Sequence, residues 1–97
     1  PLVFAGGPVP VAPFGIPGTA ELGAAAVKAL GDGTSVLLQN HGVISVAADM
    51  KKAISAATYV EEGAQVAFLA LCAGGLNPIP EEQVERMRLA VSKGAAL

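Results

Sequence analysis

The sequence predicts an α/β fold of the α+β type, built as a three-layer α/β/α sandwich, and three observations carry that prediction. Val36-Leu37-Leu38 is a continuous apolar run, so the strand it forms lacks the alternation of a sheet with one wet face and needs cover on both sides. Val43-Ile44 follows directly across Asn40-His41-Gly42, which makes the two runs a hairpin. Helical spacing flanks that hairpin on both sides, over 19–30 and 50–73.

Taken in order, residues 1–18 hold most of the prolines, with Pro8, Pro10 and Pro13 interleaved with Val9, Val11 and Phe14. Proline lacks an amide donor, so this extended segment belongs at a sheet edge or in a surface loop. A helix is expected over 19–30, where Leu22, Ala26 and Leu30 recur every four residues, Glu21 sits in the first turn and Gly31 follows as a stop. The hairpin occupies 35–47, with glycine supplying the positive φ that a tight turn needs. Asp49 is a suitable N-cap for a long helix over 50–73, which Gly74-Gly75 closes. That helix is amphipathic around Ile54, Ala57 and Val60, whereas Val66 to Leu71 are apolar all round and require enclosure. Pro78 and Pro80 interrupt the chain before a last, more solvated helix over 80–93.

Composition narrows the function. Hydrophobic residues make up 53% and the mean hydropathy is +0.57, high for a chain of 97 residues that can form one core at most. Such a chain is expected to have further cover, from another subunit or from sequence outside it, and its opening Pro1-Leu2-Val3-Phe4 resembles the interior of a longer protein more than a signal peptide. The longest uninterrupted apolar run, Val66 to Ala73, falls far short of the ~20 residues of a membrane-spanning helix, so no membrane partner is expected. Net charge is -2, and the six basic residues are scattered, which removes the basic patch of a nucleic-acid binder. Cys72 is the sole cysteine, set in an apolar stretch; it reads as core and fits a reducing, cytoplasmic compartment.

Chemistry concentrates at the hairpin tip. Asn40 and His41 are the polar side chains between two apolar strands, and a rigid scaffold with a polar tip is a common active-site arrangement. Ordinary turn chemistry explains the same residues, because asparagine and glycine both tolerate left-handed backbone. One histidine does not make a catalytic zinc site, which needs about three protein ligands. Tyr59, on the alanine-rich long helix, reads as a packing residue with a hydrogen-bonded tip, and Thr19 as a helix-start residue.

The order Pro10-x-x-Pro13-Phe14-Gly15-x-Pro17-Gly18-Thr19-x-Glu21-Leu22, a short helix, Val36-Leu37-Leu38-Gln39-Asn40-His41-Gly42-Val43, then Ala57-x-Tyr59-Val60-Glu61-Glu62 resembles the class II aldolase/adducin family, from about Val9 to Arg88. The Leu-x-Asn-His-Gly element is its most specific part. That resemblance implies a mainly antiparallel sheet of which this chain forms the carboxyl-terminal part, and a homotetramer with active sites between subunits. It also implies a divalent metal, most often zinc, bound by His41 as the third of three histidines, and a small, phosphorylated keto-sugar substrate that reacts through a metal-stabilised enediolate. Sugar-phosphate aldolases, a pentulose-phosphate epimerase and a methylthioribulose-phosphate dehydratase are members, as is the non-enzymatic adducin head, which gives the alternative of a scaffolding domain. The family's His-x-His pair, phosphate loop and acidic catalytic residue belong upstream of these residues, so the catalytic group itself is unassigned. The family's tail tyrosine has no counterpart in Ser92 to Leu97.

Overall fold

The computed structural model describes residues 9–94, so part of the proline-rich segment, 1–8, and the last three residues of the tail lie outside the described residues. The elements are β1 (Val11–Ala12), α1 (Ala20–Leu30), β2 (Ser35–Leu38), β3 (Gly42–Ser45), α2 (Met50–Ala73) and α3 (Glu81–Ser92). Two compact units divide after Ala64, within α2.

In the first unit the sheet runs in the order β1-β2-β3, parallel between β1 and β2 and antiparallel between β2 and β3. A parallel pair needs a crossover, and α1 supplies it. The proline-rich segment does reach the sheet, but only as an edge: Pro10 contributes its carbonyl to the Leu37 N–H at 2.9 Å, and Pro13, with no N–H to give, follows the two-residue strand.

Residues opposite one another in register share a face. Ala12, Val36 and Leu38 lie on one face and are buried together with Ala26 of α1, while Leu22, Ala25, Ala29 and Leu30 pack around them. Alanines on α1 let the helix approach the sheet closely. Thr19 caps α1, its hydroxyl accepting from the Leu22 N–H at 3.4 Å and donating to the Ile16 carbonyl at 2.6 Å. Gly31, at φ 53°, ends the helix with its N–H bonded to the Val27 carbonyl.

The second face carries Val11, Leu37 and Val43, and the middle of α2, at Val60, Glu61 and Ala64, borders it. Ser35 and Ser45, paired in register on this face, are joined by a 2.7 Å bond between their hydroxyls, and Ser35 is buried. Asp49 starts α2 as expected of a cap, its carboxylate accepting from the Lys52 N–H at 2.8 Å. Ala56 is the buried residue of α2. The three layers are therefore α1, the sheet and α2, yet the second face is incompletely covered: Val11 and Val43 remain 57% and 42% exposed, where the apolar strand led us to expect cover on both faces. Small alanines and Val60 leave a groove between α2 and the sheet.

The second unit contains the end of α2, the Gly74-Gly75 stop, in which the Gly75 N–H reaches the Ala70 carbonyl at 2.9 Å, and α3. Glu81 and Glu82 occupy the first turn of α3. Enclosure of the apolar stretch is not found within this unit. Phe68 and Leu69 are 67% and 65% exposed, and Cys72, expected in the core, is exposed as well, because α2 past Ala64 has apolar residues on every side and the described residues of this unit do not cover them all. No helix among the described residues is long and apolar enough to cross a membrane.

Candidate functional site

The hairpin turn is built by three residues. Leu38 pairs with Gly42, and Gln39, Asn40 and His41 close the loop, with the His41 N–H donating to the Leu38 carbonyl at 3.0 Å. This is a β-turn whose third residue must be left-handed, and Asn40 takes that role at φ 59°. Gly42 is not left-handed; it begins β3 instead, so the expectation that glycine supplies the positive φ is corrected to Asn40. Asparagine is among the few non-glycine residues that accept this conformation at small cost.

His41 is therefore exposed at the end of a stiff hairpin. It borders an open cleft of about 510 Å³ on the α1 side of the sheet, whose walls include Thr19, Leu22 and Ala26 of the α1 region and Leu38 and Ile44 of the hairpin. The walls are mostly apolar, with the imidazole and the α1 start as polar points. Asn40 borders the groove on the opposite side, together with Gln39, Val60 and Glu61. Tyr59 is half-buried on α2 and is not part of the wall that holds His41. Thr19, read from the sequence as a helix start only, does cap α1 and also reaches the cleft.

Among the described residues no three side chains of the His, Cys, Asp and Glu types gather into a cluster able to hold a metal ion. His41 presents an accessible imidazole on a fixed turn, which could serve as a single donor to a metal; any set that used it would need donors beyond the described residues. An imidazole used in this way must be neutral.

Sequence reasoning passed over Gln39. Its side-chain Oε1 accepts from the Phe14 N–H at 3.0 Å, tying the turn to the segment that leaves β1. A signal was present: a polar residue directly follows the apolar Val36-Leu37-Leu38 run. Gly15 shows how tightly that segment is held. A Cβ there would lie 2.9 Å from the Leu22 Cα and 3.0 Å from its Cβ. Backbone cannot give way as a flexible side chain can, so Gly15→Ala is expected to lower the unfolding free energy by about 1–3 kcal/mol, read from urea denaturation. An unchanged midpoint would mean that the segment shifts freely off α1.

Comparison with known proteins agrees with this geometry. The family model described as Class II Aldolase and Adducin N-terminal domain matches residues 2–68. A 5-deoxy-D-ribulose 1-phosphate aldolase of Bacillus thuringiensis serovar kurstaki is 35% identical over 86 residues, which cover 89% of this chain and 40% of that protein. The solved structure of an L-fuculose 1-phosphate aldolase superposes with a TM-score of 0.89 at 32% identity, covering 94% of this chain and 43% of the other. The chain thus spans well under half the length of either relative. A match over most of the chain, together with the Asn40-His41-Gly42 hairpin and its flanking helices, shows that the chain belongs to the class II aldolase and adducin family.

Proposed function

We propose that this chain is part of a metal-dependent sugar-phosphate aldolase, or of a related isomerase, and that it contributes His41 as one protein ligand of a divalent cation, zinc in the first instance. The observation that carries the reading is the position of His41: an exposed imidazole beside a mostly apolar cleft, on a turn fixed by the Asn40 backbone and the bond from the His41 N–H to the Leu38 carbonyl. Both relatives named above are aldolases of phosphorylated sugars, which supports a sugar-phosphate substrate.

A bound divalent cation would polarise the carbonyl of a keto-sugar phosphate and offset the negative charge left when a carbon fragment or proton departs. This chain's residues have a narrower task. His41 holds its imidazole at one place, Asn40 sets the backbone angle that presents it, and Leu22, Ala26, Leu38 and Ile44 form a mostly apolar wall beside it. The remaining ligands, the phosphate site and the acid or base come, on this reading, from the rest of a full-length protein, of which this is the carboxyl-terminal part of the domain. Exposed Val66, Phe68, Leu69 and Leu71 support assembly into a homo-oligomer, a tetramer by family resemblance. The cytoplasm is the proposed compartment, which a single free cysteine suits.

Metal analysis tests the proposal. Full-length protein is expected to carry zinc at close to one ion per chain, and its His41→Ala variant to lose that metal on dialysis against a weak chelator. Equal zinc in both would overturn the assignment of His41, and a metal-free, folded wild type would favour a non-enzymatic scaffolding role.

A further inference from the structure

Gln39 stands at the point where β2 stops being a strand, and it engages the β1 segment twice, through Ala12 and through Phe14. Val11 lies opposite Leu37 in the parallel pair, with the Leu37 N–H on the Pro10 carbonyl at 2.9 Å and, one rung on, the Gln39 N–H on the Ala12 carbonyl at 3.2 Å. In a regular parallel ladder the following rung runs from the amide of residue 14 to the backbone carbonyl of residue 39. Here the Phe14 N–H donates instead to the Gln39 side-chain Oε1 at 3.0 Å. The side chain thus stands in for the backbone, extending the parallel pairing by one rung while the main chain turns away toward Asn40. Pro13, between the two rungs, has no N–H to offer an alternative.

The anchored segment is itself immobilised from behind, since Gly15 lies against the Leu22 backbone of α1 with no room for a Cβ. A chain of contacts therefore leads from α1 through Phe14-Gly15 to Gln39. From Gln39 it passes to the turn, where Leu38 and His41 are joined across Gln39 and Asn40.

We propose that Gln39 is a positioning residue for His41: its side chain locks the exit of β2 to the α1 layer and so fixes where the imidazole stands. This rests on the proposed role of His41 as a metal ligand. Phe14 and Gln39 are both exposed, so their bond adds little to global stability, and the effect separates from folding.

The test is cobalt(II) and zinc(II) binding by the full-length protein, with the visible absorption of the cobalt form reporting ligand geometry. Gln39→Leu is expected to bind both ions about 10-fold more weakly, the scale of an outer-shell defect, and to shift the cobalt bands, while the thermal midpoint of the metal-free protein stays that of wild type. Gln39→Glu keeps a side-chain acceptor and is expected to restore the wild-type spectrum. A second variant reaches the same bond from its other end: the α-hydroxy analogue of phenylalanine at position 14 replaces the N–H by an ester oxygen, and is expected to reproduce the spectral shift even if Gln39→Leu does not fold. Wild-type affinity and spectrum in Gln39→Leu or in the ester variant, with metal lost in His41→Ala, would overturn the positioning role alone. Retention of the cobalt spectrum in His41→Ala would instead overturn the metal-ligand reading on which it rests.

Discussion

His41→Ala in the full-length protein is expected to cut kcat/KM for its sugar phosphate at least about 1000-fold, equivalent to roughly 4 kcal/mol of transition-state stabilisation, while leaving the fold intact. The two halves of that statement have separate causes. Activity falls because, on the proposed function, one of a small number of protein ligands is gone. The fold persists because the imidazole is exposed and the bond that closes the turn, to the Leu38 carbonyl, uses the His41 backbone N–H that alanine retains. Circular dichroism and the urea midpoint of the metal-free protein should match wild type. If activity and the metal-free midpoint fall together, the histidine is structural; if neither falls, it is a turn residue only.

Leu38→Ala should behave in the opposite way. Leu38 is 7% exposed, belongs to the core with Ala12, Ala26 and Val36, and holds the sheet to α1 just below the turn. Truncating a buried leucine removes its transfer free energy and leaves a cavity that rigid neighbours fill only in part, so a loss of about 3 kcal/mol is expected. Two of those neighbours are alanines, which cannot swing into the gap. Urea denaturation measures this as a lower midpoint at constant slope. A loss under about 1 kcal/mol would mean that α1 and the sheet collapse onto the cavity. Metal affinity should fall less than in His41→Ala, since the Leu38 carbonyl that accepts from His41 is backbone.

The layered fold was legible because it depends on patterns that survive in one dimension. Thr19, Glu21 and Gly31 frame α1, Asp49 and Gly74 frame α2, and the apolar runs on either side of Asn40-His41 draw the hairpin. Parallel pairing of Val11–Ala12 with β2 was not legible, because two residues between prolines carry no periodicity and their partner lies well down the chain. Burial failed for a different reason. Val66 to Leu71 and Cys72 are apolar, and hydropathy states what a residue would gain from cover without saying where the cover is. For the site, the histidine was visible by its scarcity and by the family pattern around it. The clamp on its turn was not, since a glutamine that replaces a ladder rung looks in sequence like any polar residue at a strand end.

Asn40 restricts the substitutions open to the turn in a way that no neighbouring contact explains. At φ 59° most side chains clash with their own backbone, so the torsion alone removes most replacements. Glycine would keep the angle but loosen the unfolded chain by ~0.4–1 kcal/mol, and aspartate would keep it while adding a formal charge next to His41. Variation at this position is thus expected to be narrow even in relatives whose cleft walls diverge freely, and a family member with a β-branched residue here would have to present its histidine on a differently shaped turn.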